Sequence, residues 1–448
     1  MKYDLYPFAT CEIGPGVQVT HHRRPVISPD DAASLAMVKI GCGNNMPGYY
    51  MYRGGTNPIG QKHTMQESKA TGYPNDLPVR SYDFQAPIGE FGQINPQYGK
   101  LKIQHHFLNA FGDSLGKMHP QFQAIELDGR DDTHSLRYGL RTNGQSGYVF
   151  VNNYQRHSNL SAHDGVQFVV PVANGTLTFP HQGLHIPSGS YFILPYNLNI
   201  SGNTLTYATA QLLYQHENTV FFMALDGIDA EFTWADGSSN KVDAGLDSTF
   251  KHQSEGISIN VVTLTQQQAE QLFVLEGDIF YSPADLFRDG EYLTAYRQAN
   301  SDLSWFHWNG SKFIEHEYHK PSLANCIEYH EITTDIPETL GSEELLLSKT
   351  DQIKSWQLNI DNINLAGNSD ALICLDYIGD IAQLYVGDVL VADDFYKGTT
   401  WLVSLRHIKR FGNNVKLIIS KKTEDNIYIE SEERTGLELK DIHLDVIY

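Results

Sequence analysis

Apolar residues keep two different periods along this chain, and the change of period divides it. Residues 5–12, LYPFATCE, read as a strand that ends on a carboxylate. Ser28-Pro29-Asp30-Asp31 then announces a helix, with a capping serine, proline at the first helical position and acids in the first turn. Ala32, Leu35, Ala36 and Ile40 fall on one helical face, and Gly41 or Gly43 stops the run. Residues 47–53 give the next strand. Asn95-Pro96 opens a second helix, whose Leu101, Leu108, Phe111, Leu115 and Met118 recur at helical spacing. Residues 1–118 therefore predict β-α-β-loop-α, a βα repeat of the barrel or doubly wound kind.

Beyond about residue 120 short strands take over. Tyr148–Val151, Val166–Val170, Thr176–Phe179 and Tyr191–Leu194 are separated by NNY, NG, PSG and SGN turns, as in an antiparallel sandwich running to about residue 279. Residues 280–345 are mixed and acidic and read as a connector that contributes strands to the last domain. Residues 346–448 alternate again, through Trp356–Ile360, Ala371–Leu375, Leu384–Val386 and Val415–Ile419. The predicted fold is multi-domain and mainly β, with βα units leading and two β domains after them.

Composition narrows the function. A chain of 448 residues, 41% hydrophobic and 11% aromatic, supports several cores and is not disordered. With 32 basic against 53 acidic residues the net charge is −21, which argues against nucleic acid or an anionic membrane surface as partner. No apolar run is long enough to span a bilayer. The opening MKYDLYPFATCEIG lacks an apolar signal core, so the cytoplasm is the default compartment. Cys11, Cys42, Cys326 and Cys374 form no CxxC pair and read as small buried apolar residues. His316-Glu317-Tyr318-His319 fails as a zinc motif, because HExxH requires a histidine where Lys320 stands. No phosphate loop or dinucleotide frame fits the glycines, and no metal or organic cofactor is expected.

The candidate chemistry lies in residues 1–118. Glu12 closes a strand and is followed by the turn Gly14-Pro15-Gly16, where barrel enzymes place catalytic groups, although an isolated Glu before a turn is commonly a solvated loop acid. Residues 49–52, YYMY, run into Gly54-Gly55-Thr56-Asn57, and the chain returns through Ser81-Tyr82-Asp83-Phe84-Gln85-Ala86-Pro87. Gly-Gly after a strand lets the backbone turn where a side chain would obstruct a ligand. Tyrosines on either side supply flat apolar faces with polar tips, as a sugar ring requires.

This arrangement resembles the last strand and following loop of the catalytic barrel in family 35 β-galactosidases, through GGTN after an aromatic strand and SYD-aromatic-x-AP after a loop. Tyr148–Gln155 and Ala208–Gln211 are similar to that family's middle β-sandwich. The stretch from Asp376–Asp380 through Leu384–Val386 to Phe395–Gly398 and Trp401 is similar to its terminal jelly-roll. The resemblance implies C-terminal βα units of a (β/α)8 barrel at 1–118, a β-sandwich at 119–279, a connector at 280–345 and a jelly-roll at 346–448. It implies retaining hydrolysis of terminal β-galactosides, with Glu12 as nucleophile and Tyr50, Tyr82, Phe84 and Asn57 around the sugar. Tyr50 either bonds the nucleophile or sugar or simply packs in the barrel wall. Asp83 reads as a loop-holding acceptor. Thr56 and Asn57 also read as ordering the turn, and His21, His22, Arg23 and Arg24 as substrate-positioning or as a solvated basic patch. His105 reads as a core histidine.

Retaining glycosidases need a second carboxyl about 5–5.5 Å from the nucleophile. In the resembled family it stands in an Asn-Glu pair on an earlier strand, and this sequence contains no Asn-Glu dipeptide. A closed barrel takes about 250 residues, so the expectation is a C-terminal portion of such an enzyme, weakly active or inactive alone. The expected ligand is a β-galactoside; an N-terminal barrel half, as in a split glycosidase, or a homo-oligomer would be the protein partners. The competing reading is a non-catalytic carbohydrate-binding or assembly module, which exposed Tyr385, Phe395, Tyr396 and Trp401 would favour.

Overall fold

A computed structural model describes residues 6–447 except 61–63, 123–126, 130, 255, 297–303, 318–326, 333–351, 364, 366–369, 423–425 and 432–435. It is mainly β, with many sheets and, among the described residues, no closed barrel. No described helix is long and apolar enough to cross a membrane.

The N-terminal unit is β1 (Phe8–Ile13), α1 (Pro29–Gly41), β2 (Asn44–Tyr49), the short pair β3 (Gly55–Thr56) and β4 (Ser81–Tyr82), and α2 (Gln97–Leu115). β1 and β2 pair in parallel, with Thr10 opposite Pro47 and Ile13 opposite Tyr49. The strand predicted at 47–53 thus lies a few residues early. Its ladder ends where the Tyr50 N–H donates to the Ile13 carbonyl at 3.2 Å, and the aromatic run beyond leaves the sheet. α1 begins as predicted. The Asp30 N–H donates to Ser28 Oγ at 3.2 Å and the Ser28 N–H to Asp31 Oδ2 at 3.1 Å, a reciprocal cap. Its buried face is Ala32, Ala33, Ala36, Met37 and Ile40. Leu35, expected on that face, is 40% exposed. The small Ala residues lie flat against α2 and the sheet, which rotates the helix away from Leu35.

Both helices end on the sandwich. The buried Arg141 guanidinium donates to the carbonyls of Ile40 (2.8 Å), Leu115 (2.7 Å) and Met118 (3.0 Å) and to Asn45 Oδ1 (2.8 Å). The Ile40 and Leu115 carbonyls lie in the last helical turns, where each also accepts a backbone N–H and where a cation opposes the helix dipole. Gly41 is required here, since a Cβ would lie 2.8 Å from the Phe150 ring. The sandwich has a seven-stranded sheet in the order 239–242, 230–234, 203–208, 191–200, 147–152, 137–142 and 119–122, and a four-stranded sheet of 211–216, 219–223, 257–264 and 249–254. In the strand Gly147–Asn152 alternate residues enter two cores. Tyr148 and Phe150 pack with Met37, Ile40 and Phe107, whereas Val149 and Val151 pack with Phe168 and Phe179.

The described part of 280–345 divides its allegiance. Strands Ser304–Trp308 and Phe313–Glu317 join a sheet with 272–275 and 278–281, and Trp308 and Phe313 enter the sandwich core. Strand Glu328–Ile332 instead pairs with Ile353–Asn359, on the edge of the last unit's five-stranded sheet. That sheet and a three-stranded one (401–404, 370–378, 438–447) enclose Leu358, Leu375, Leu384 and Leu417. Cys374 is buried on the other face of the three-stranded sheet, with Leu372, Phe91, Ile94 and Leu402, but Cys11 and Cys42 are exposed, contrary to expectation. Cys11 lies on a two-stranded sheet with one face uncovered; Cys326 falls outside the described residues.

Candidate active site

The ends of β1 and β2 carry the predicted site. Glu12 is exposed one residue before the buried Ile13, and Tyr50 follows β2 on the adjacent strand. The loop from β4 brings two more rings. Tyr50 Oη and Tyr82 Oη share a short hydrogen bond, and the Phe84 ring centre lies 4.7 Å from Tyr82 and 5.6 Å from Tyr50. Tyr82 also lies within the field of Glu12. The hydrogen bond from Tyr50, then burial, then the charges nearby push the Tyr82 phenol up to about 12, so it stays a protonated donor. Glu12, Tyr50, Tyr82 and Phe84 thus form one cluster, open to solvent.

The backbone beneath that cluster is tightly determined. Phe84 and Gln85 have φ of +59° and +51°, left-handed values that non-glycine residues adopt at a cost. The surroundings hold them there. Gln85 N–H donates to Asp83 Oδ1 (2.9 Å), and its side-chain amide donates to the carbonyls of Pro25 (2.9 Å) and Val17 (3.2 Å). Gln97 Nε2 donates to the Gln85 carbonyl at 2.6 Å. Asp83 Oδ2 accepts from Glu90 N–H (2.6 Å) and Gln93 Nε2 (3.0 Å), so Asp83 is an acceptor that organises the loop. The first glycine of the pair is needed for a related reason: a Cβ on Gly54 would lie 2.8 Å from the Asp83 carbonyl oxygen and 2.9 Å from the Glu90 nitrogen, whereas one on Gly55 would meet nothing.

Asn57 is committed to the scaffold rather than free in the cluster. Its Nδ2 donates to the Val79 carbonyl (3.2 Å), its N–H to the Arg80 carbonyl (2.8 Å), and its own carbonyl accepts from the Arg80 guanidinium. Thr56 donates through Oγ1 to Glu90 Oε1 at 2.5 Å. Burial, partly offset by hydroxyl hydrogen bonds from Thr56 and Ser81, pushes Glu90 up to about 8. His105 is half-buried, with Nε2 3.1 Å from Tyr49 Oη, and burial lowers its pKa.

Three supports were invisible in the sequence. Asp393, on the C-terminal unit, is 2% exposed and accepts from the backbone N–H groups of Val79 (2.5 Å), Arg80 (2.8 Å) and Ser81 (3.0 Å). A buried carboxylate therefore clamps the strand that presents Tyr82. Arg24, in the basic run, is wholly buried and bonds the Asp380 carboxylate and the carbonyls of Asp380 (2.9 Å) and Tyr396 (3.1 Å). Glu90 is the third. Only their pairing partners, 300 or more residues away for the first two, reveal their roles. Tyr385, Phe395, Tyr396 and Trp401, the expected exposed platform, are all buried, at 2%, 3%, 2% and 6%. They fill the C-terminal core and its junction, leaving no aromatic platform at those positions.

Two cavities of about 460 and 330 Å³ lie elsewhere, one between the helices and the sandwich and one between the β4 loop and the C-terminal unit. Neither includes Glu12.

One carboxylate, two phenols and a flat ring thus meet at the strand ends. No protein-family model matches the chain. A distant relationship does emerge: the chain is 27% identical over 163 residues to "Beta-galactosidase 8" of Arabidopsis thaliana, one of ten curated matches, covering 36% of this chain. The match spans only 15% of that relative's length.

Proposed function

We propose that this chain carries the nucleophile side of a retaining β-galactosidase site. Glu12 attacks the anomeric carbon of a terminal β-galactoside, and the bond to the leaving oxygen breaks as that oxygen takes a proton from a second carboxyl. Water then cleaves the galactosyl ester, restoring the Glu12 carboxylate and returning the proton to the second group. The observation that carries this reading is the convergence of Glu12 with the Tyr50–Tyr82 hydroxyl pair and the Phe84 ring. The tyrosine pair supplies hydroxyl contacts for the nucleophile or a sugar oxygen, and the rings supply an apolar face. The distant likeness to a β-galactosidase supports the choice of sugar.

The proton donor in this scheme lies outside the chain, on a partner half that would pair with the open edges of β1 and β2. Unpaired parallel edges are templates for further strands. Absence of general acid assistance costs about 10²–10⁴ in rate, and least for leaving groups that depart unaided. Release of nitrophenol from an aryl β-D-galactoside is therefore the test. The wild-type chain should turn over slowly and Glu12→Gln not at all; equal rates in the two proteins would remove Glu12 from the chemistry.

A further inference from the structure

The three-stranded sheet of the C-terminal unit gathers a thiol, an imidazole and a carboxylate away from the site above. Strands Asp370–Ile378 and Glu438–Ile447 run antiparallel, with Cys374 opposite His443, Leu372 opposite Asp445 and Asp376 opposite Asp441. Residues two apart share a face, so His443 stands directly across from Cys374, with Asp441 and Asp445 on the diagonals. Donor atoms of Cys374, His443 and Asp445 all lie within 4.8 Å of one another. Tetrahedral zinc with bonds of about 2.0–2.3 Å needs its donors roughly 3.3–3.8 Å apart, so modest side-chain rotation closes the set.

A second observation concerns orientation. His443 Nδ1 is hydrogen-bonded to Asp441 Oδ2 at 2.8 Å. A carboxylate behind the imidazole is the arrangement that fixes a metal-bound histidine, and it leaves Nε2 as the nitrogen available to an ion. The floor also fits. Cys374 is 1% exposed and packs with Leu372, Phe91, Ile94 and Leu402, while His443 is exposed and Asp445 half-buried. The site is therefore apolar beneath and open above, where a water can complete four ligands.

We propose that Cys374, His443 and Asp445 form a zinc site, with Asp441 orienting the imidazole. Thiolate and imidazole donors select zinc over magnesium or calcium, which prefer all-oxygen sets. On binding, the zinc–sulfur bond replaces the thiol hydrogen and the proton passes to solvent. The ion cross-links the last strand to its neighbour, directly over the Phe91–Ile94 loop that leads into α2. The site shares no residue with the Glu12–tyrosine cluster.

The test uses the full chain, free of any histidine tag and stripped with a chelator. Zinc is titrated calorimetrically, and cobalt is added in parallel to look for a thiolate-to-cobalt charge-transfer band. Near-stoichiometric binding and the band are expected in the wild type and should be lost in Cys374→Ser and in His443→Ala. Asp441→Asn should weaken zinc binding about 10–100-fold. A Cys11→Ser/Cys42→Ser protein should bind as the wild type does. His443 is exposed, so its variant reports on ligation even if Cys374→Ser folds poorly. Absence of near-stoichiometric binding by the wild type overturns the proposal. So does binding that survives both ligand variants, or binding lost with Cys11 and Cys42.

Discussion

Asn in place of Asp393 separates the two roles of the buried clamp. Asp393 Oδ1 accepts from Arg80 and Ser81, and Oδ2 accepts from Val79. An amide oxygen can still serve Arg80 and Ser81, but its NH₂ then opposes the Val79 N–H. One buried donor left without an acceptor costs about 1–3 kcal/mol. The opposing effect is relief of a buried charge. Burial pushes the Asp393 carboxyl from 3.8 up to about 6, so the folded state holds a proton that the unfolded state releases. Across that window folded protein binds more protons, and the stability this group contributes falls as pH rises, by up to about 3 kcal/mol. Near pH 4 the carboxyl is already neutral in the folded chain, and its hydroxyl lone pair can still accept from Val79. Asp393→Asn should therefore be less stable than wild type by about 1–3 kcal/mol near pH 4, with the gap closing towards zero by about pH 7. Calorimetry on both proteins across this range measures the gap, and hydrogen exchange of the Val79–Tyr82 segment shows whether the strand beneath the site loosens. A gap that stays constant or widens as pH rises would refute the reasoning.

The same contacts set three further outcomes. Glu90 is held near 8 against an ordinary 4.5, so its contribution to stability falls as pH rises through that interval, and Glu90→Gln should melt higher than wild type near pH 9 but not near pH 5. The ceiling on that gain is roughly 5 kcal/mol, and thermal melts at the two pH values measure it. Arg24→Met leaves the Asp380 carboxylate buried without its cation and removes a donor from the carbonyls of Asp380 and Tyr396, and urea unfolding should show a loss of about 3–5 kcal/mol. Tyr82→Phe removes one hydroxyl contact beside Glu12, and aryl galactoside turnover should fall about 2–10-fold with little change in melting temperature.

Local rules in the sequence were enough for the first helix and for the parallel pairing of β1 with β2. A capping serine, a first-turn proline and acids at 30 and 31 act within one turn, and the structure contains each of these bonds. The same is true of the GGTN turn, whose glycine is required by contacts to a loop that is itself nearby in sequence. What escaped was long-range. The run His21-His22-Arg23-Arg24 gives no sign that Arg24 is buried against Asp380, because a guanidinium pairs over any chain separation. Asp393 looks like an ordinary strand acid until its three backbone donors are seen, and Glu90 like a loop acid. Leu35 was misplaced because helical spacing alone does not say which side of a small-residue face turns inward. Cysteine's preference for burial yields at Cys11, on a sheet of two strands with one open face, and at Cys42, which caps the end of the first helix at the surface. The aromatics at 385, 395, 396 and 401 were offered as a surface and proved to be core, since strand period marks two faces but not which one is covered.

The role of Glu12 is tested most directly by trapping its galactosyl ester with azide. With an activated dinitrophenyl β-D-galactoside, a nucleophile lacking its acid/base partner forms the ester readily, and azide, which needs no general base, then displaces it. The account predicts β-galactosyl azide from the wild-type chain and none from Glu12→Gln. No azide adduct from the wild type, an adduct of α configuration, or equal yield from Glu12→Gln would contradict it.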